Sequence, residues 1–192
     1  MTVLEDRIEM ADSDDMSALD RLFERLSVPE GYRAEIVEGA VYMVPQRSIH
    51  WLIIRRIVRA LDERFGMDAM VFSDVRIDFP GRLNGFCPDV AKLRDGAEQN
   101  SANHWLHQDV EFVAEVISKG TAANDYGPKK TAYATAEVPV FLVVDPYVGK
   151  CHVYTQPKDG EYVTETTVSF GGDVDLTATL GLTLKTDEFP RD

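Results

Sequence analysis

Two carboxylates in apolar, strand-like surroundings are the residues of this chain best suited to chemistry. Asp89 follows Pro88 near the start of FCPDVAKLR, and Glu115 lies inside the apolar run EFVAEVIS, residues 111–118. A buried carboxylate is costly unless it is paired or bound to a cation. Because Mg²⁺ takes only one or two protein carboxylates and keeps several waters, this pair on neighbouring strands predicts a Mg²⁺ or Mn²⁺ site. Such an ion activates a bound water and stabilises the charge that develops on a phosphodiester.

A lysine follows at a spacing that could bring it to the same site. Asp125, Lys129 and Tyr133 are four residues apart and share one stripe of a predicted helix, in which Pro128 falls in the first turn. If this stripe faces the sheet, Lys129 reaches the carboxylates, whereas Lys130 points about 100° further round the helix. We therefore expect Lys129 to position the nucleophilic water or to neutralise developing charge.

Each of these residues has a simpler structural interpretation. A Pro-Asp pair is ordinary turn chemistry, and a helix lysine is commonly exposed. Asp125 could be an N-cap, and Tyr133 is expected to pack in the core. His104 and His107 form an HxxH pattern without a third ligand at zinc-like spacing, so we expect them to be structural or solvated.

The elements that must position these residues follow from the hydrophobic pattern. A strand, a helix and an apolar strand in that order, residues 111–146, predict a crossover unit within a mixed sheet. We expect one α/β (mixed α+β) domain at 30–192, an acidic helical extension at 1–29, and an acidic, frayed C-terminal tail. The predicted elements are helices at 15–26, 48–66 and 124–137, hairpins at 32–45 and 150–168, strands at 69–80, 86–94, 111–118 and 138–146, and a loop at 95–109.

The net charge of −13 argues at first against a nucleic-acid partner, because polyanion binding draws on Lys and Arg. The acidity lies at the ends, however: residues 1–30 carry nine acids and three bases, and residues 157–192 carry eight and three. Residues 31–156 are nearly balanced, with sixteen acids and fourteen bases. The helix at 48–66 and its preceding residue could supply a basic surface or a merely solvated face, through Arg47, Arg55, Arg56, Arg59 and Arg64.

The remaining composition limits the cellular setting. No apolar run approaches the roughly 18 to 20 residues that span a bilayer, so we expect no membrane association. The N-terminal residues lack the basic and apolar regions of a secretory signal, and we expect a cytoplasmic protein. Cys87 and Cys151 lack metal-site spacing and are expected to be buried thiols.

Several separate motifs follow one another between about residues 30 and 155. They are Pro88-Asp89, Glu115-Val116-x-Ser118, Asp125, Lys129, Tyr133, Val138-Pro139 and Val144-Asp145-Pro146. In order and spacing they resemble the motifs of the Uma-two-type family of restriction endonucleases, a branch of the PD-(D/E)XK nuclease superfamily. The hairpin segment Glu35-Ile-Val-Glu38-Gly39 and the helix residue His50 also have counterparts in that family.

The resemblance implies a restriction-endonuclease-like fold, a central mixed sheet flanked by helices, and divalent-metal-dependent hydrolysis of DNA. It implies that Asp89 and Glu115 bind the metal with help from the Val116 carbonyl, and that Glu35 is an additional acid near the site. From the residues alone, Glu35 could equally be a hairpin residue that makes a surface ion pair. Ile117 stands where the superfamily pattern Glu-x-Lys has its lysine. The lysine would then come from the helix, as Lys129.

Three hypotheses follow. The first is a Mg²⁺- or Mn²⁺-dependent DNA endonuclease that uses Asp89, Glu115 and Lys129, and a homodimer would suit cutting of both strands. The second is a catalytically silent module of the same fold that binds nucleic acid or a protein, motivated by Ile117 and the acidic ends. The third is that the acidic termini mask the basic helix.

Overall fold

The computed structural model describes residues 17–45, 47–101 and 103–192, and within them the chain forms two main sheets, a small hairpin and four α-helices. The helices are α1 (17–25), α2 (Ser48–Phe65), α3 (Ala122–Tyr126) and α4 (Pro128–Thr135), with a 3₁₀ turn at His107–Asp109. The strands are β1 (Tyr32–Val37), β2 (Ala40–Pro45), β3 (Val71–Phe72), β4 (Ile77–Phe79), β5 (Asn84–Phe86), β6 (Val90–Leu93), β7 (Trp105–Leu106), β8 (Val110–Val116), β9 (Val140–Asp145), β10 (Lys150–Lys158), β11 (Glu161–Ser169), β12 (Asp173–Leu176) and β13 (Leu182–Lys185).

The larger sheet has six strands in the order β11-β10-β9-β8-β6-β3. Strands β8 and β9 are parallel and are joined through α3 and α4, whereas the other pairs are antiparallel. The crossover unit predicted from the strand, helix, strand order is therefore confirmed, as is the mixed sheet flanked by helices.

Strand β8 is buried on both faces because it separates two hydrophobic cores. Phe112, Ala114 and Val116 pack with α2 and the β12–β13 hairpin, whereas Val113 packs in the other core, between the two sheets and α4. Side chains alternate along a strand, so Glu115 must point toward the second core with Val113. The strand pattern thus places a carboxylate among apolar side chains.

The smaller sheet closes over that side of the molecule, with strand order β2-β1-β5-β4-β7. The predicted hairpin is confirmed: β1 pairs with β2, and the turn lies at Glu38 and Gly39, with φ of 51° and 81°. Positive φ at both central residues matches the twist of the flanking strands. The hairpin fixes which residues of β1 face the larger sheet.

Two predicted strands are split in the structure. Residues 69–80 form β3 and β4, which belong to different sheets, and residues 86–94 belong partly to β5 and partly to β6. Their continuous apolar patterns hide a change of sheet at each break. The predicted loop at 95–109 also contains the short strand β7 and the 3₁₀ turn.

The helix predicted at 124–137 begins earlier and breaks at Gly127, where ψ is −105°. The residue before a proline is disfavoured in the helical region, so Pro128 restarts the chain as the first residue of α4. At the start of α2, Arg47 occupies the N-cap position, and Gly66 ends the helix at the predicted boundary.

The prediction of a frayed C-terminal end is wrong for residues 173–185. These residues form the β12–β13 hairpin, and their apolar side chains, including Val174 and Leu184, pack against α2. The acidic composition concealed a period-two pattern of buried residues. The predicted helix at 15–26 is helical over the described residues 17–25, and residues 15 and 16 lie outside the described part.

Candidate active site

Four elements bring the predicted site residues together between the two sheets. Asp89 immediately precedes β6, whose first residue, Val90, pairs with Ala114, so Asp89 comes beside Glu115 on β8. Strand β1 contributes Glu35, and α4 contributes Lys129. All four of these charged side chains are buried.

Asp89 and Glu115 are held by the backbone of each other's strands. Asp89 Oδ2 accepts a hydrogen bond from the Val116 N–H at 2.6 Å, and the Asp89 N–H donates to Glu115 Oε2 at 3.4 Å. These contacts fix one oxygen of Asp89 and orient the two carboxylates side by side. Val116 therefore contacts this pair of acids through its backbone N–H.

Lys129 lies at the centre of a group of three carboxylates. Its Nζ is 2.6 Å from Glu115 Oε1, 3.2 Å from Glu35 Oε1 and 3.2 Å from Asp125 Oδ1. An ammonium has three N–H donors, so these three acids can use all of them. Lys130 instead lies over the ring of Tyr154, with its Nζ 4.8 Å from the centroid. The stripe argument therefore chose the lysine that faces the sheet.

Tyr133 combines packing with a polar contact. Its ring packs against Phe79, Phe86 and Phe141, as the core interpretation predicts. Its hydroxyl also donates a 2.6 Å hydrogen bond to Glu115 Oε1. Tyr133 therefore helps fix the orientation of that carboxylate.

Two simpler interpretations made from the sequence are wrong. Glu35 is buried and ion-paired with Lys129, and it accepts a 2.9 Å hydrogen bond from the Cys87 N–H, so it is no surface hairpin residue. Asp125 is not an N-cap, because it lies inside α3 and pairs with Lys129 across the break at Gly127.

Excess negative charge is the main electrostatic feature of this group. Burial raises the pKa of Glu115 to about 8 and that of Asp125 to about 6, against the opposing effect of the Lys129 ammonium. Burial alone would lower the pKa of Lys129, but Glu115, Glu35 and Asp125 raise it well above its usual value. The lysine is therefore charged, and the carboxylates compete for further protons or cations.

A cleft of about 250 Å³ leads from the surface to Asp89. Arg33 and Asp74 line it from one side, and His50 and the exposed Trp51 line it from the start of α2. Among the described residues, Arg33 Nε and His50 Nε2 are buried without a hydrogen-bond partner. Burial lowers the pKa of His50. Polar atoms of this kind can serve a substrate that enters the cleft.

Arg33 and its partner Asp74 are residues of the candidate site that the sequence analysis missed. Arg33 Nη1 pairs with Asp89 Oδ1 at 2.5 Å and also with Asp74, and Arg33 Nη2 is 4.0 Å from Glu115 Oε2. The available signal was the spacing of Arg33 and Glu35, which places both on one face of β1.

A second polar cluster lies away from the cleft, where α1 meets the smaller sheet. Ligand-type atoms of Asp20, Asp78 and His104 lie within 4.8 Å of one another. Arg76 already binds both acids, at 2.9 Å from Asp20 and 2.7 Å from Asp78. His107 Nδ1 lies 3.1 Å from the Asp78 carbonyl oxygen. His104 lies 3.6 Å from Asp20 and 3.7 Å from Asp78, although His104 Nδ1 and Asp20 Oδ1 are buried without a hydrogen-bond partner in the described part of the chain.

The arginines around α2 are largely engaged with other parts of the chain. Arg47 pairs with Asp192, Arg56 with Glu188 and Arg59 with Glu63, and Arg64 donates to the Gly181 carbonyl. Acidic residues near the C-terminal end thus contact the basic helix, as the masking hypothesis requires. Residues 1–16, which the same hypothesis invokes, lie outside the described part of the chain.

Ile117 is buried in the core between the sheets, so the position of the superfamily lysine holds an apolar side chain. Cys87 and Cys151 are buried free thiols, as predicted. In the part of the chain that the structure describes, no helix is both long and apolar enough to cross a membrane.

The mixed sheet, its flanking helices and the buried acid, acid, lysine group define a protein of the nuclease-like fold class. The family model described as "Uma2: Putative restriction endonuclease" matches residues 20–187, and the chain belongs to that family. The family resemblance inferred from the motifs is therefore confirmed.

Comparison with solved structures supports the same fold. The chain is similar to a "putative nuclease belonging to DUF820" from Anabaena variabilis ATCC 29413, with a TM-score of 0.67 and 16% sequence identity. The match covers 89% of this chain and 96% of the other. A search of curated proteins found no match.

Proposed function

We propose that this protein is a divalent-metal-dependent endonuclease that hydrolyses phosphodiester bonds in DNA. The observation that carries the proposal is the buried pair Asp89 and Glu115, held side by side, with Asp89 lining a cleft and Lys129 2.6 Å from Glu115. Membership in a family of restriction endonucleases supports nucleic acid as the substrate.

The residues present fit a divalent cation. Carboxylate oxygens are the donors that Mg²⁺ and Mn²⁺ prefer. Five acidic groups (Asp74, Asp89, Glu115, Glu35 and Asp125) meet two cations (Arg33 and Lys129), so the acids outnumber the cations by three. The raised pKa of Glu115, to about 8, reflects burial that a cation could offset. Asp89 and Glu115 would hold the ion, with the Val116 carbonyl and Glu35 as further oxygen donors nearby.

When bound, Mg²⁺ or Mn²⁺ would supply an activated water and would neutralise charge on the phosphodiester. The chain's own residues then divide the remaining work. Lys129 and Tyr133 hold Glu115 Oε1, which fixes the orientation of that carboxyl group, and the ammonium opposes the rise in its pKa that burial causes. The Val116 N–H fixes one oxygen of Asp89 through a hydrogen bond. Lys129 thus balances the charge of the carboxylates. It takes the role of the superfamily lysine, whose position is occupied here by Ile117.

The test is cleavage of plasmid and single-stranded DNA by the full chain, with Mg²⁺, with Mn²⁺ and with a chelator. We expect metal-dependent nicking that Glu115→Gln abolishes. The substitution Glu161→Gln, at an exposed position opening β11, is the matched control and should leave the rate unchanged. Cleavage that persists in Glu115→Gln, or in chelator, would exclude the proposed site.

The alternative is a catalytically silent nuclease-fold module. It is favoured by Ile117 and by the ion pairs that Lys129 makes with three carboxylates within the cluster. A silent module should show no stabilisation by Mg²⁺ in a thermal shift assay, or one that Glu115→Gln does not change.

Three further expectations accompany the proposal. The first is a division into an acidic extension at residues 1–29 and a nuclease domain at 30–192, which limited proteolysis tests. The second is a homodimer, which light scattering tests. The third is a cytoplasmic location, which fits a reaction on cellular or invading DNA and which cell fractionation tests.

A further inference from the structure

Arg33 reaches the carboxylate cluster because of its position on β1. Arg33 and Glu35 are two residues apart on that strand, so both side chains point to the same face, toward β8 and α4. Glu35 continues inward to Lys129, whereas Arg33 stops at the cleft, where its side chain is 14% exposed. Arg33 therefore lies between the cleft and the buried acids.

The contacts of Asp89 and Glu115 leave one oxygen on each acid for a cation. Asp89 Oδ2 accepts the Val116 N–H, and Glu115 Oε1 is taken by Lys129 and the Tyr133 hydroxyl. The other two oxygens are Asp89 Oδ1 and Glu115 Oε2, and the latter also accepts the long 3.4 Å hydrogen bond from the Asp89 N–H. They are also the oxygens that face the guanidinium, with Nη1 at 2.5 Å from the first and Nη2 at 4.0 Å from the second.

The guanidinium cannot leave this position by losing its proton. Arginine stays protonated in proteins, and the surrounding acids Asp89, Glu35 and Glu115 raise the pKa of Arg33 further, against the effect of burial. A divalent ion bound to Asp89 Oδ1 and Glu115 Oε2 would repel a guanidinium held on the same oxygens. The two cations therefore exclude each other.

We propose that Arg33 is a built-in counter-ion that occupies the divalent-cation position between Asp89 and Glu115, and that the metal must displace it. This inference rests on the proposed metal site. Arg33 also pairs with Asp74, whose side chain is 34% exposed at the cleft. The displaced guanidinium keeps that partner and stays in the cleft, where its paired N–H donors suit a phosphodiester.

The proposal makes an unusual demand: removal of Arg33 should strengthen metal binding while it weakens DNA cleavage. Loss of a merely structural ion pair would weaken both, because the carboxylates would lose their orientation. The two readouts together therefore separate displacement from simple structural support.

The experiment measures Mn²⁺ affinity of the full chain by electron paramagnetic resonance of free Mn²⁺. We compare the unsubstituted protein with Arg33→Gln and with Arg47→Gln, which removes a cation from the same cleft without opening the position between the two acids. Arg33→Gln should tighten Mn²⁺ binding by about tenfold, an ordinary size for coupling between two binding events. Arg47→Gln should change it much less.

Two results would overturn the counter-ion role. One is Mn²⁺ binding by Arg33→Gln that is unchanged, weaker or absent; the other is an equal gain in Arg47→Gln, which would show a long-range charge effect only. Arg33→Lys keeps the charge and guards against misfolding of the glutamine variant. The single ammonium of the introduced lysine cannot match both oxygens. The Mn²⁺ affinity of Arg33→Lys should therefore lie between that of the unsubstituted protein and that of Arg33→Gln.

A parallel cleavage assay separates this inference from the proposed function. If the unsubstituted protein cuts DNA and Arg33→Gln binds Mn²⁺ no more tightly, the function stands and the counter-ion role fails. If Arg33→Gln binds Mn²⁺ more tightly and neither the unsubstituted protein nor any variant cuts DNA, the counter-ion role stands and the proposal of a hydrolase fails.

Discussion

Two acidic clusters in this protein differ in how their charge is balanced. At Asp20, Asp78 and His104, the ligand-type atoms lie close together, but Arg76 binds both acids. At Asp89 and Glu115, five acidic groups share Arg33 and Lys129. The first cluster is distinguished by possible ligand atoms that lie close together. The second is distinguished by acidic groups that outnumber the cations beside them.

Burial sharpens the difference. The acids of the first cluster are partly exposed, at the contact between α1 and the smaller sheet, and Arg76 also lies 4.3 Å over the Phe23 ring. Glu115 and Lys129 are each 1% exposed. A charge imbalance costs far more in the interior than at the surface. The first cluster therefore suits helix docking, and the second suits cation binding.

The largest expected effect separates the two clusters by activity. Asp89→Asn should lower metal-dependent DNA cleavage by about 10²- to 10³-fold, the range seen when a group that stabilises transition-state charge is removed. Asp78→Asn makes the same chemical change in the other cluster and should leave the rate unchanged. Initial rates of plasmid nicking measure both. Equal losses in the two variants would remove the distinction.

The next effect concerns stability. Lys129→Met leaves Glu35, Glu115 and Asp125 without their shared cation, and it should lower the free energy of unfolding by about 3–5 kcal/mol. Lys130→Met, one residue along α4, should lower it by no more than about 0.5 kcal/mol. Urea denaturation gives both values. A small loss in Lys129→Met would mean that the cluster carries less charge than its composition indicates.

A pH dependence should follow from Glu115. Burial raises the pKa of Glu115 from 4.5 to about 8, so the folded state holds a proton that the unfolded state releases. Stability from this group is complete below about pH 4.5 and is lost as the pH rises through about 8. In Glu115→Gln this decline should be smaller, whereas Glu161→Gln should keep it. Thermal denaturation between pH 5 and 9, buffered at equal ionic strength, measures the slope.

The smallest effect is expected in the first cluster. Asp20→Asn weakens one ion pair to Arg76 at a partly exposed position, so the free energy of unfolding should fall by about 1 kcal/mol or less. Mn²⁺ should shift the melting temperature of this variant as much as that of the unsubstituted protein. If Mn²⁺ no longer raised the melting temperature of Asp20→Asn, the cation would bind at the cluster of Asp20, Asp78 and His104, which would contradict our account.

The sequence predicted much of the site because its signals are local. Periodicity located β8 and the lysine stripe, and burial cost made Glu115 conspicuous in an apolar strand. Lys129 was preferred over Lys130 by helix geometry alone, although the stripe crosses a break at Gly127. Asp125 and Lys129, four residues apart, still face the same side because α4 begins directly after the break that follows α3.

What the sequence could not predict depends on contacts between distant segments. Arg33 lies 56 residues from Asp89 along the chain, and nothing in either segment indicates that they meet. The division of residues 69–80 between two sheets also depends on tertiary pairing. The acidic composition of the C-terminal residues suggests a solvated tail. It obscures the alternation of Val174 and Leu176, which indicates the first strand of the C-terminal hairpin.

The most direct test of the central claim is the location of Mn²⁺ in a crystal, identified by its anomalous scattering. Our account predicts a peak between Asp89 and Glu115, with the Arg33 guanidinium moved toward Asp74. A peak at Asp20, Asp78 and His104, with none between Asp89 and Glu115, would contradict it.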